Sequence, residues 1–210
     1  MEDKIEAEQC CVVSCDTVLG ETYWNNQYNA HTTGWDMGQV SPPLKEYINQ
    51  LINKELRILI PGCGNSYEAD YLLHKGFTNI TVIDIAPTLV GGLKTKYAGN
   101  KNINIVLGDF FTHSGIYDLI IEQTFFCAID PSLRNGYVSK MNELLADKGK
   151  LTGVLFDKKF KHKGPPFGGC KCEYIPLFGK YFNLKTLEPC YNSFAKRSGT
   201  ELFSIFLKHK

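Results

Sequence analysis

The residues best suited to chemistry gather in one stretch, Arg57 to Pro87, which reads RILIPGCGNSYEADYLLHKGFTNITVIDIAP. Gly62-Cys63-Gly64 is a turn that lets a ligand approach the backbone closely, because glycine has no Cβ to obstruct it. Asp84 follows 22 residues after Gly62, near the end of an apolar run. A carboxylate there can accept two hydrogen bonds from a ribose diol. The spacing is close to the ~20 residues between glycine turn and acid in an adenosine-binding βαβ unit. A dinucleotide site wants a third glycine three residues after the second, where a helix N-terminus meets the pyrophosphate. Tyr67 holds that position, and its bulk argues against a pyrophosphate. An adenosine cofactor without phosphates fits better, and S-adenosylmethionine is the natural choice. Its amino-acid tail can lie against the glycine turn while its ribose reaches Asp84. The plain alternative is a structural turn that binds nothing.

These residues need elements to hold them. Arg57 to Ile60 is predicted to be a first strand. Ser66 is placed to cap the next helix and Gly76 to end it. Ile80 to Ile85 is predicted as a second strand. Upstream, residues 1–20 show no strong period and are expected to be mobile. Residues 21–41 are expected to be irregular and rich in aromatics. Ser41 is placed to cap a helix with Pro42 in its first turn, and Leu44, Tyr47, Ile48, Leu51 and Ile52 make one apolar stripe. Downstream, Pro87 opens a helix weakened by Gly91-Gly92. Ile103–Leu107, Tyr117–Glu122 and Leu151–Phe156 read as strands. Asp130-Pro131 starts a helix with Leu133, Tyr137, Met141, Leu144 and Leu145 on one face, stopped at Lys148-Gly149. Residues 157–182 are expected to be a long loop. Asn183–Tyr191 and Glu201–Lys208 close the chain as an antiparallel pair, turning at Arg197-Ser198-Gly199.

Strand and helix alternate. This implies an α/β, Rossmann-like fold: a mostly parallel seven-stranded sheet, helices on both faces, and a C-terminal antiparallel pair. That is the layout of class I methyltransferases. Ligands of open α/β sheets sit at the carboxyl ends of the strands. Gly62, Asp84, Asp109 and Glu122-Gln123 all fall there, so four segments converge on one crevice.

With 210 residues, the chain is long enough for one α/β domain, spanning 1–210 with 1–40 as a segment over the cofactor site. A net charge of +1 gives no field to draw nucleic acid or membrane. Lys158-Lys159, Lys161, His162 and Lys163 form a short basic run, read as a solvated loop. No stretch approaches the ~20 apolar residues of a membrane span, and MEDKIEAEQ is unlike a secretory signal. The eight cysteines are therefore read as reduced thiols of a cytoplasmic protein. Cys170-x-Cys172 lacks a second pair with zinc spacing, so no metal is expected.

Methyl transfer from a sulfonium is an in-line displacement, and the nucleophile must sit about 3 Å from the methyl carbon. A thiolate or halide is already an anion and needs no catalytic base, so no catalytic residue is assigned. The protein then supplies position, a desolvated pocket and aromatic faces, each worth ~0.5–2 kcal/mol to a cation. Trp24, Tyr28, Trp35, Phe125 and Phe126 can provide such faces. Core packing is the alternative for each, most of all for Phe125 and Phe126. Asp109 can accept the adenine amino hydrogen while Phe110 packs on the ring; the alternative is an ordinary turn acid. Gln123 can bond the cofactor's amino-acid end, and Glu122 can bind its amine or fix the next loop.

With these residues in place, the chain resembles the thiopurine S-methyltransferase superfamily, and most closely its thiol and halide methyltransferase branch. The resemblance runs from about Trp24 to Leu207. It is carried by Trp24, Tyr28, Gly34-Trp35-Asp36-Met37-Gly38 with Ser41-Pro42, Leu59-Ile60-Pro61-Gly62-Cys63-Gly64 and Gly108-Asp109-Phe110-Phe111. Tyr117-Asp118-Leu119-Ile120, Thr124-Phe125-Phe126-Cys127-Ala128-Ile129 and Gly164-Pro165-Pro166-Phe167 complete it. It implies a cofactor site of Trp24, Tyr28, Trp35, Gly62, Gly64, Asp84, Asp109, Phe110 and Gln123, with the aromatic N-terminal segment closing over it. Phe126 and Phe167 are expected on the acceptor side. Tyr28 stands where the branch often has tryptophan, and Gln123 and Phe167 where it often has tyrosine.

The expected function is methyl transfer from S-adenosylmethionine to a small soft nucleophile. A thiol comes first, then sulfide, halide or a thiopurine-like acceptor. The protein is expected to be a monomer with no nucleic-acid or membrane partner. There is no Asn/Asp-Pro-Pro-aromatic motif for a flipped base and no basic face. A nicotinamide oxidoreductase is disfavoured by Tyr67, whose bulk argues against a pyrophosphate. A SAM-binding scaffold without turnover stays open, because a positioning mechanism leaves no base to look for.

Overall fold

In a computed structural model, residues 17–209 are described. The expectation of mobility over residues 1–20 falls mostly outside them, as do Cys10, Cys11 and Cys15. Seven strands run in the order β3-β2-β1-β4-β5-β7-β6. They are β1 Ile58–Pro61, β2 Ile80–Asp84, β3 Ile103–Leu107, β4 Tyr117–Gln123, β5 Leu145–Phe156, β6 Phe182–Pro189 and β7 Glu201–Lys208. The first five pair parallel, and β7 runs antiparallel between β5 and β6.

Among the described residues the α-helices are α1 Glu21–Asn29, α2 Pro42–Asn49, α3 Tyr67–His74, α4 Pro87–Lys96, α5 Arg134–Leu144 and α6 Lys171–Phe178. The pleat of β1 and β2 divides the core between the two faces of the sheet. Leu59 and Ile83 meet Tyr137 and Met141 of α5 and Phe178 of α6 on one face. Ile58, Ile60 and Val82 meet Leu44 and Ile48 of α2, Leu72 of α3 and Leu93 of α4 on the other. Both β1 and β2 are buried throughout, as expected of central parallel strands.

Several local expectations change. The segment expected to be irregular contains α1, a helix with no buried residue. Its polar sequence carries no core stripe because it faces the cavity and α4. Asn25 Oδ1 accepts from Thr88 N at 2.8 Å and Asn29 Oδ1 from Thr88 Oγ1 at 2.9 Å. The long loop contains α6, whose Pro176 hides it from a helix search. Helix α2 ends at Asn49, so Ile52 leaves the stripe and is 92% exposed. Leu133 belongs to a short 3₁₀ turn ahead of α5 and is half exposed, while Leu145 already belongs to β5. Lys148-Gly149 therefore lies inside the strand, with Lys148 at φ 62°.

Ser41 and Ser66 hold N-cap positions, yet neither hydroxyl makes a capping bond. The backbone N–H of Ser41 instead donates to Glu68 Oε1 at 3.0 Å. Gly76, at φ +84°, follows the end of α3 as expected. The thiols also need correction. Cys63, Cys127 and Cys190 are free, but Cys170 and Cys172 form a disulfide. Their Cα atoms lie 5.3 Å apart at the start of α6, within bridging range, a proximity that reasoning from compartment could not see. No helix among the described residues is long and apolar enough to cross a membrane.

Candidate functional site

The carboxyl ends of β1 to β5 open into a cavity of about 900 Å³, at the upper end of the usual range for ligand sites. Its floor is the turn between β1 and α3. Gly62 and Gly64 adopt φ +55° and +51°, the left-handed region. Gly64 N donates to Asp84 Oδ2 at 3.2 Å and Ala86 N donates to Asp84 Oδ1 at 3.0 Å. The acid thus ties the glycine turn to the end of β2. Burial pushes its carboxyl above the usual range, and these backbone donors oppose that shift.

The roof comes from the N-terminal segment. Trp24 and Trp35 meet edge to face at 5.5 Å, and Tyr28 meets Trp35 at 5.8 Å. The Tyr28 hydroxyl hangs over the turn, 3.5 Å from where a Cβ on Gly64 would lie. Asp36 anchors the roof to α3 by accepting from Asn65 Nδ2 and from the Tyr67 hydroxyl. Tyr67, read as an obstacle to pyrophosphate, therefore also serves as a strut.

At the end of β3, Asp109 Oδ1 accepts from Phe111 N at 2.9 Å, the ordinary turn role, while the residue remains exposed on the cavity wall. Phe110 is buried beside Phe125 at 5.2 Å, and both line the cavity. Gln123 lines it too, and both its amide nitrogen and its amide oxygen are buried without a hydrogen-bond partner. The structure therefore brings together all nine expected cofactor residues: Trp24, Tyr28, Trp35, Gly62, Gly64, Asp84, Asp109, Phe110 and Gln123.

It does not bring in the two expected acceptor-side residues. Phe126 is 1% exposed and packs among Tyr137, Tyr174 and Phe178, with the Arg134 guanidinium 4.6 Å from its ring. Phe167 is also buried, its backbone N–H donating to Cys127 O at 2.7 Å. The wall in their place is made by Phe125, Phe156, Phe160, Pro165 and Pro166. At both places a neighbouring residue, Phe125 or Pro166, lines the cavity instead.

Glu122 fixes the loop rather than the cofactor. Its Oε1 accepts from Phe125 N and Phe126 N, each at 2.8 Å, and its Oε2 is buried without a partner. Burial pushes this carboxyl up to about 7. Its unfolded value is ~4.3, so the folded chain holds the proton more tightly. The stability it contributes is full below that unfolded value and is lost as pH rises through about 7. Glu122→Gln keeps the shape and an acceptor oxygen without the charge. It should melt above wild type at pH 8, with the gain fading towards pH 5, as melting curves across that range would show.

Arg197 was missed, being read as part of a turn. Its Nη2 donates to Trp35 O at 2.7 Å, its Nη1 lies 3.5 Å from Glu201 Oε1, and its guanidinium lies 5.4 Å from the Phe156 ring. It joins the roof to the sheet. Only its charge could have flagged it, and charge alone does not say that it meets a residue so far back in the chain.

S-adenosylmethionine fits this arrangement. The glycine turn leaves open backbone, the Asp84 carboxylate faces the cavity at the position for a ribose, and the orphaned Gln123 amide needs a polar ligand. Fold and site together define a class I S-adenosylmethionine-dependent methyltransferase. Solved structures share the fold. The Burkholderia thailandensis 1,6-didemethyltoxoflavin-N1-methyltransferase superposes with a TM-score of 0.74 at 14% identity, over 90% of this chain and 87% of that one. The magnesium protoporphyrin IX methyltransferase of Synechocystis PCC 6803 gives 0.70 at 15%, over 90% and 98%.

The family is narrower than the fold. The thiopurine S-methyltransferase family model matches residues 19–206, and the chain belongs to that family. It is 29% identical to the probable thiol methyltransferase 2 of Arabidopsis thaliana, over 73% of this chain and 72% of that one. It is 26% identical to thiocyanate methyltransferase 1 of Brassica oleracea, over 85% and 81%. To the thiopurine S-methyltransferase of Bos taurus it is also 26% identical, over 82% and 81%. The chain is thus an S-adenosylmethionine-dependent S-methyltransferase.

Proposed function

We propose that this enzyme methylates the sulfur of a small thiol, with sulfide, halide and thiopurine-like acceptors as lesser substrates. The observation that carries the reading is the acceptor end of the cavity, walled by Phe125, Phe156, Phe160, Pro165 and Pro166. Such a wall suits a soft, easily desolvated sulfur. The thiol, thiocyanate and thiopurine methyltransferases among its relatives support the same class of acceptor.

When bound, S-adenosylmethionine supplies a methyl group on a positively charged sulfur, open to in-line displacement. The chain's own residues do the rest. Asp84 and Gly64 hold the cofactor end of the cavity, and Gln123 provides one donor and one acceptor. Trp24, Tyr28 and Trp35 close the roof and exclude water, which strengthens each remaining electrostatic contact. Phe125 and Phe156 present apolar faces that leave a thiolate poorly solvated and reactive. Glu122, the nearby acid with a strongly shifted carboxyl, is committed to the loop and does not line this cavity. The acceptor therefore enters already ionised.

Methyl transfer to two thiols of different acidity tests this. The pH midpoint of kcat/KM should move with the pKa of the acceptor. A midpoint shared by both thiols would point to an enzyme base, and no transfer to thiol, thiocyanate, halide or thiopurine would overturn the reading.

A further inference from the structure

The Lys158 backbone bridges Gly169, but the charged side chains of the basic run at Lys158–Lys163 are not used by the cofactor cradle. Its place in the sheet gives it a use. β5 ends at Phe156, paired with Glu201 at the start of β7. Lys158 lies just past that rung and Lys196 and Arg197 just before it, at the same end of two adjacent strands. Asp157 N donates to Thr200 O at 2.8 Å, joining the two segments. Lys158, Lys196 and Arg197 all line the cavity. The Lys158 ammonium lies 5.5 Å from the centre of the cavity-lining Phe160 ring. Lys159, Lys161 and Lys163 are exposed on the same loop, which rejoins the wall at Pro165.

The acids near this mouth are engaged elsewhere. Glu201 pairs with Arg197, Asp157 accepts from Lys171 N, and Asp130 accepts from both Ser132 N and its hydroxyl. Among the described residues no ion pair engages Lys158 or Lys196. Of the acids that line the cavity, Asp36 and Glu68 belong to the roof and α3, Asp84 and Asp109 lie beyond β2 and β3, and Asp130 follows β4 on the near side. Lys158, Lys196 and Arg197 outnumber Asp130 there, so positive charge prevails on this side of the cavity.

We propose that the preferred acceptor is a thiol carrying a carboxylate, which Lys158 and Lys196 receive at the mouth while the sulfur enters between the aromatic walls. This rests on the thiol-methylation reading and narrows it. Exposed ammonium groups at a cleft attract an anion through long-range steering and are weakened by salt. Each is exposed, so its individual effect is modest.

The test compares mercaptopropionate with its neutral amide, which shares the sulfur and chain length. Binding of each is measured by calorimetry on the enzyme saturated with S-adenosylhomocysteine. The acid should bind about fivefold tighter at low ionic strength, and high salt should erase most of the difference. In Lys158→Glu/Lys196→Glu the preference should invert. Equal binding, no binding of either, or a preference indifferent to salt would overturn the proposal. The salt comparison on wild type stands even if the double variant folds poorly. Methyl transfer in the same samples separates the two claims. Methyl transfer without a salt-sensitive preference overturns this proposal alone, whereas a salt-sensitive preference for the acid without product overturns the thiol acceptor together with the thiol methylation on which it rests.

Discussion

Asp84→Ala should weaken S-adenosylhomocysteine binding by at least about a hundredfold, the largest single-residue loss expected here. Hydrogen bonds to a charged partner are worth ~1.5–3 kcal/mol each, and a ribose diol can make two. Asp84 is 8% exposed, so water cannot replace it cheaply. The substitution also strips the acceptor from Gly64 N and Ala86 N and so loosens the turn under the cofactor. Calorimetric titration, run well below the variant's own melting temperature, separates lost binding from lost folding. Burial raises the Asp84 carboxyl, so it protonates at a higher pH than a free aspartate. Once protonated it loses acceptor capacity, and wild-type affinity should fall as pH drops through that transition. A folded Asp84→Ala with unchanged affinity would remove Asp84 from the site.

Gly62→Ala should cost both stability and binding. An added Cβ would lie 2.3 Å from Phe125 Cδ2, far inside contact distance, and the residue sits at φ +55°. A left-handed alanine costs ~1–2 kcal/mol and overpacking another ~1–3. For a chain of this size that sum corresponds to a fall in melting temperature of about 5–12 °C. The Phe125 ring can yield only by swinging into the cavity or into Phe110, so cofactor affinity should fall with stability. Adding Gly62→Ala to Phe125→Ala meets no clash but keeps the strained φ, so it should cost less there than in wild type. Thermal melts of both single variants and the double variant give the partition. A Gly62→Ala protein as stable as wild type would show that the close approach is not obligatory.

Much of the site was legible because it lies on local pattern. The glycine turn, Asp84 and Asp109 sit at the ends of apolar runs, and such ends face one crevice in a parallel sheet. The βαβ order followed from the same periodicity, as did the run of every strand to within a residue or two except β5, which begins six residues earlier than expected. Helices α1 and α6 were hidden, and for opposite reasons. α1 faces a cavity and so carries no apolar stripe, while α6 carries a proline inside an aromatic run. Phe126 and Phe167 turn into the core while Phe125 and Pro166 beside them line the cavity, because side-chain direction in an irregular segment has no period to read.

The sequence by itself determined the fold class, the family and which strand ends meet at one cavity. Each of these depends on residues close in the chain, or on motifs whose spacing is set by regular elements. Tertiary structure alone decided what closes and charges the cavity away from the glycine turn. There Arg197 reaches Trp35, Lys158 and Lys196 join one wall from separate segments, and Glu122 is enclosed behind Phe125. The physical reason is that β7 inserts next to β5 and carries the chain's last segment over its first. Contacts made across such a distance are fixed by packing, and no local periodicity encodes them.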